Sequence, residues 1–250
     1  MTLAAILIVL ILSLVTSFVS GIFGMAGGLI LMGGLIALPS IGVATAMVIH
    51  GVLQFVANGW RAWLLRDAID WLAFRRYAAG AAVGIGALAL VTWQPDKRAV
   101  YLLLGLVPLL VWLPRGWLDL DIQVRAHAFG AGVLVQALNT LAGVAGPMLD
   151  LFFVRNAMTR QEIVATKAVT QALSHVIKVG FWTVPAVTAS GTGGVPPAWF
   201  FLLAIPIAMT GTWLGGRVLA RLDDGRFKAW VKLLVTVIGG LMLLRAAGLA

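Results

Sequence analysis

His50, Gln54 and Asn58 are spaced i, i+4, i+8 in an apolar stretch, so on a helix they share one face. A second polar face is formed by Gln171, His175 and Lys178, with Thr170 and Ser174 as neighbours. At an offset of 121 residues His50 and Gln54 meet Gln171 and His175, the same two residue types in swapped order. Neutral His, Gln, Asn, Ser and Thr side chains donate hydrogen bonds and Lys adds a positive charge, an inventory suited to holding an anion. A lysine deep in an apolar span is costly and normally faces a cavity or a partner, so Lys178 is expected to see the substrate or its path. The competing reading makes Lys178 a snorkelling residue near the membrane boundary and the histidines packing residues.

Two glycine-rich runs, Gly24-Met25-Ala26-Gly27-Gly28 and Gly143-Val144-Ala145-Gly146-Pro147, let the chain leave helical geometry, with new helices expected from near Gly28 and Pro147. Broken backbone is tolerated at membrane depth only inside protein or beside a wet cavity. Two half-helix N-termini, each worth roughly half a positive charge, would make an anion site there. The alternative is tight helix packing through small residues. A side chain at Gly27 or Gly146 is expected to strain the backbone or to enter the space the anion needs. Asp150, beyond the second run, is a candidate to carry a coupling proton or to neutralise Lys178, or it sits near an interface beside Arg155.

The elements that must position these residues are helices. Of 250 residues 61% are hydrophobic and 11% charged, against roughly 25% charged in a soluble domain. Mean hydropathy is +1.02, with 29 Gly and 10 Trp. This is the profile of an all-α polytopic membrane protein. Runs such as Leu3 to Phe18 and Ala198 to Met209 are apolar on every face, which excludes the alternating strands of a β-barrel. A net charge of +9 would suggest nucleic acid in a soluble protein; here it points to cytoplasmic loops, with lipid and a small anion as partners and no nucleic acid. There is no cysteine, and the three histidines and nine acids are too few for most metal clusters. Residues 1 to 20 lack a basic leader and read as a retained membrane element.

Apolar segments run from Leu3 to Leu38 and from Ala128 to Val154, each interrupted by a glycine run. Six more extend over Val43 to Leu65, Tyr77 to Trp93, Ala99 to Leu113, Ile163 to Pro185, Pro197 to Gly216 and Trp230 to Leu244. The halves repeat one another in order. Gly24 to Gly27 meet Gly143 to Gly146 at an offset of 119; Ala44-Thr45 and Gly59 meet Ala165-Thr166 and Gly180 at 121; Gly80, Gly84 and Lys97 meet Gly211, Gly215 and Lys228 at 131. This predicts a first repeat over residues 1–113, a cytoplasmic connector over 114–126 and a second repeat over 127–250.

If all eight segments crossed once, the basic residues would favour the wrong side. If the first and fifth are re-entrant hairpins, Arg61, Arg66, Arg75, Arg76, Arg115, Arg125, Arg155, Arg160, Arg217, Arg221, Arg226, Lys228 and Lys232 lie inside, 13 in all. Lys97, Arg98 and Arg245 are the 3 outside, with Lys167 and Lys178 within a span. The expected architecture is therefore two inverted repeats, each a broken or re-entrant hairpin plus three transmembrane helices. A broken but fully crossing helix at each run is the alternative.

Ser20-Gly21-Ile22-Phe23-Gly24-Met25-Ala26-Gly27-Gly28, Leu141-Ala142-Gly143-Val144-Ala145-Gly146-Pro147 and the following Ala165-Thr166 resemble the sulfite exporter TauE/SafE family over nearly the whole chain. Met25 and Pro147 depart from its more glycine-rich pattern. The resemblance implies transport of a sulfur-containing anion, such as sulfite, thiosulfate, sulfoacetate or another sulfonate, across a bacterial inner membrane. The residues themselves imply only an anion-binding inverted repeat.

The expected function is a multi-pass secondary transporter working by alternating access, with an anion channel as the alternative. No phosphate-binding loop, paired-aspartate site, His-Glu-x-x-His or Ser nucleophile with an obvious His partner is present, so neither ATP, an enzymatic activity nor a cofactor is expected. Direction of transport, coupling ion and oligomeric state have no sequence signature.

Overall fold

The computed structural model describes residues 3–23, 25–90, 94–113, 119–153, 157–188, 194–219, 221 and 224–249. Among them are ten α-helices and no strand. The first half of the chain holds α1 (Leu3–Phe23), α2 (Met25–Ala37), α3 (Val43–Leu64), α4 (Trp71–Ala89) and α5 (Lys97–Leu106). The second holds α6 (Arg125–Ala142), α7 (Gly146–Leu151), α8 (Arg160–Thr188), α9 (Ala198–Leu219) and α10 (Asp224–Ala246).

Boundaries follow local chemistry. The Asp70 carboxylate accepts from Leu72 N at 3.0 Å and Ala73 N at 2.9 Å, so α4 starts at Trp71, six residues before the expected Tyr77. Asp96 caps α5 through Ala99 N at 2.7 Å. The expected Ala99 to Leu113 span is α5 followed by a 3-10 segment, Val107–Trp112, with Pro108 in its first turn. Gly143 ends α6 at φ +80°, a left-handed conformation that favours glycine. Pro147 occupies the first turn of α7, where its missing N–H costs nothing. The restarts fall at Met25 and Gly146, and Gly24 lies outside the described residues.

Both breaks are turns of hairpins. α2 returns along α1: a methyl at Gly27 would lie 2.5 Å from Ser20 Cβ, and one at Gly34 would lie 2.6 Å from Leu12 Cδ2. α7 returns towards the start of α6, where Ile122 N donates to Phe152 O at 2.8 Å. The hairpins are unequal, with 13 residues in α2 and 6 in α7.

Three helix pairs pack most extensively: α1 with α9, α4 with α6, and α3 with α8. The first two use glycine alike. Gly211 and Gly215 of α9 lie against the Leu14 and Phe18 carbonyls of α1. Gly80 and Gly84 of α4 lie against the Phe129 and Val133 carbonyls of α6.

One end of the bundle gathers the α3–α4 loop, residues 119–124 and the start of α8. Asp70 N donates to Thr166 Oγ1 at 2.9 Å, and Arg76 Nη1 to Gln123 O at 2.7 Å. Trp112, at the end of the 3-10 segment, reaches the middle of α10, where its Nε1 donates to Thr236 Oγ1 at 2.8 Å. At the other end Lys97 Nζ donates to Leu38 O at 3.0 Å and Arg98 Nε to Ala246 O at 3.1 Å.

Leu29, Met32, Leu35 and Ile36 of α2 pack with Met47, Ile49, Trp182 and Phe200 in the larger apolar core. Leu7, Ile11, Leu202, Leu203, Leu233 and Leu241 face outward, and α1, α3 and residues Ala198–Val218 are each long and apolar enough to cross a membrane. Such an outer surface is stable in lipid.

Candidate functional site

Between α3 and α8, below the two breaks, lies a cavity of about 430 Å³ including its open mouth. From α3 it is lined by His50, Gln54 and Asn58, and from α8 by Gln171, Ser174 and His175, as the helical spacing predicted. The breaks contribute Gly28, Ala145 and Gly146. The His50 and His175 rings stand 5.4 Å apart, centroid to centroid.

His50 is a crosslink between the breaks. Its Nε2 lies 3.0 Å from Gly28 O and its Nδ1 lies 2.8 Å from Lys178 Nζ. A carbonyl oxygen can only accept, so Nε2 carries the ring proton and Nδ1 accepts from the lysine. Lys178 Nζ also donates to Gly143 O at 2.9 Å. Lys178 is 0% exposed and stands behind His50 rather than on the cavity wall. Both ring nitrogens of His50 are thus occupied, and Lys178 is neither the direct contact expected nor a snorkelling residue.

Other site residues are tied down locally. Tyr77 of α4 holds Ser174 through a 2.6 Å hydroxyl contact. Asn58 Nδ2 donates to Gln54 O at 2.9 Å, so part of its amide is spent on its own helix. Thr170 Oγ1 turns back to Thr166 O and Lys167 O, away from the cavity.

Gly27 faces α1, where a side chain would overlap the Thr16 carbonyl; its lack of bulk serves packing rather than ligand space. Gly28 is on the cavity wall, where a methyl would lie 3.5 Å from His50 Nε2. Ala26, Gly143 and Pro147 are not on the cavity wall. Asp150 forms an ion pair with Lys167 at a part-exposed position, and does not neutralise Lys178.

Sequence reasoning passed over four wall residues: Ser20, Val135, Asn139 and Val144. Ser20 and Asn139 stand one turn before Gly24 and Gly143, at the same offset of 119 as the glycine runs, a signal that was available. Asn139 is 2% exposed, and neither its Oδ1 nor its Nδ2 has a hydrogen-bond partner; His175 Nδ1 is likewise buried and unpartnered. No Lys, Arg, Asp or Glu side chain lines the cavity among the described residues.

A helical membrane protein with a buried polar cavity between broken helices belongs architecturally with transporters. The chain matches the family model of Sulfite exporter TauE/SafE over residues 9–242 of 250, and it belongs to that family. It is accordingly a membrane anion transporter. No curated protein and no solved structure matches it significantly.

Proposed function

We propose that the protein is a secondary transporter carrying a small sulfur-containing oxyanion, such as sulfite, thiosulfate or a sulfonate, across the inner membrane by alternating access. The observation that carries this reading is the cavity itself. Its wall offers Gln, Asn, Ser and His donors from helices of both halves and no carboxylate among the described residues. An anion leaving water needs replacement donors, and a wall without fixed negative charge supplies them without repulsion. The chain is multi-pass, with residues 1–113 and 127–250 as two repeats of opposite orientation.

Several contacts support that arrangement. α1 packs on α9 as α6 packs on α4, and α3 packs on α8, its counterpart. Glycines 80 and 84 are used as 211 and 215 are. The first hairpin opens towards the end that holds Lys97 and Arg98, and the second towards the end that holds Arg76. Two hairpins opening to opposite ends, each followed by three further helical segments, are what inverted repeats require. The excess of basic residues supports the Arg76 end facing the cytoplasm.

Flux of radiolabelled sulfite and a sulfonate into liposomes containing the purified protein is the test. Saturable flux with exchange of internal for external anion supports the transporter. Non-saturating conductance would replace it with a channel, and no anion flux would reject both.

A further inference from the structure

Resting on the anion-transport reading and narrowing its cargo to sulfite over thiosulfate and sulfonates, we propose that Asn139 selects the anion, and that the species taken is singly protonated, with X–OH beside X–O⁻, rather than fully deprotonated. Asn139 projects from α6 one turn before the break and lines the cavity at 2% exposure. Its Nδ2 and Oδ1 are both buried without a partner, an arrangement too costly to persist unless a ligand or water completes it.

A carboxamide presents a donor and an acceptor side by side. The complement to that edge is an acceptor next to a donor, which a hydrogen-oxyanion carries on a single centre. Its ionised oxygen receives the Nδ2 proton while its hydroxyl donates to Oδ1. A fully deprotonated oxyanion can satisfy only Nδ2 and sets a negative oxygen against Oδ1.

Charge points the same way. The nearest basic side chains stand behind the wall, Lys178 on His50 Nδ1 at 2.8 Å and Arg61 on the Ser20 carbonyl at 3.4 Å. Desolvation grows as the square of an ion's charge, whereas attraction to fixed charges and dipoles grows linearly. With no cation on the wall among the described residues, a dianion loses more than a monoanion and regains proportionately less.

The experiment measures binding of three fixed-shape probes to the purified full-length protein by thermal shift and titration: hydrogen methylphosphonate at mildly acid pH, methanesulfonate and sulfate. The first two are monoanions of similar shape that differ by one hydroxyl. Hydrogen methylphosphonate is expected to bind about tenfold tighter than methanesulfonate, the value of one additional hydrogen bond to a charged partner, with sulfate weakest. Asn139→Leu and the smaller Asn139→Ala, each checked for a cooperative melt, should erase that preference. Raising the pH until methylphosphonate loses its second proton should erase it in the wild type, a comparison that needs no variant. Equal binding of methanesulfonate and hydrogen methylphosphonate, or a preference that survives in a folded Asn139 variant, overturns the proposal and means that water completes the amide. Stabilisation by none of the three would instead reject the anion site itself, and this proposal with it.

Discussion

Lys178 and His50, separated by 128 residues, meet at 2.8 Å and join the two broken segments into one unit. From Gly143 O through the amine and the imidazole to Gly28 O, each link is a hydrogen bond of 3.0 Å or less. The order of donors is dictated from one end, because Gly28 O can only accept. The tautomer and orientation of the His50 ring are thus held by a buried lysine.

Lys178→Met removes the charge and leaves Gly143 O and His50 Nδ1 without their donor. Anion affinity should fall by at least about tenfold, and stability by roughly 2 kcal/mol, the cost of orphaning buried acceptors. His50→Gln and His175→Gln each keep a donor and should cost less affinity. Titration calorimetry and thermal melts of the same preparations check both, and unchanged affinity in Lys178→Met would leave the site to neutral groups alone.

Neighbouring glycines should respond oppositely to the same methyl. Gly27→Ala drives a carbon into the Thr16 carbonyl and should destabilise the first hairpin by about 1–3 kcal/mol, as overpacking does. At Gly28 the methyl finds ordinary contacts of 3.5 Å to His50 and 3.6 Å to Gln54, so Gly28→Ala should fold normally while altering anion affinity. Yield and melting temperature in detergent, set beside anion binding, separate the two.

Because the chain contains no cysteine, single cysteines can be introduced at positions 76, 97, 226 and 245 without background. Membrane-impermeant maleimide on intact cells should label 97 and 245 and spare 76 and 226. External labelling at 226 would refute the inverted arrangement.

The Asp150–Lys167 ion pair joins α7 to α8 with side chains 28% and 29% exposed. Solvent screens such a pair, so a double-mutant cycle with Asp150→Asn and Lys167→Gln should give a coupling of no more than about 1 kcal/mol. Asp150→Asn should leave anion affinity intact, since its partner is Lys167 rather than Lys178. A tenfold loss would place Asp150 in the binding machinery.

What could be read from the chain was whatever repeats or has a period. The His50, Gln54, Asn58 face follows from helical spacing, and the glycine turns from two runs at one offset. Gly80 and Gly84 matched Gly211 and Gly215 as mere letters, yet both pairs lie against neighbouring backbone. Period gives a side chain's direction but not what stands between it and a cavity, which is why Lys178 was expected on the wall and lies behind His50. Asn139 lies between Leu138 and Thr140, three residues after Gln136, and its offset of 119 from Ser20 was the cue that set it apart from a tolerated polar residue on a packing helix. The unequal hairpins were illegible as well, since Phe152 and Phe153 continue an apolar run although the helix has ended at Leu151.

The glycine contacts also determine which parts can slide. Where backbone lies directly on backbone, as α9 does on α1 and α4 on α6, neither helix can shift along the other without carbonyls colliding. Each of these clasped pairs takes one helix from each half of the sequence. The two halves are therefore interlocked like linked hands, and neither can swing away whole. Any rocking between the two ends would have to move composite units, α1 with α9 against α4 with α6, across a seam spanned by α3 and α8, the helices whose facing histidines line the cavity.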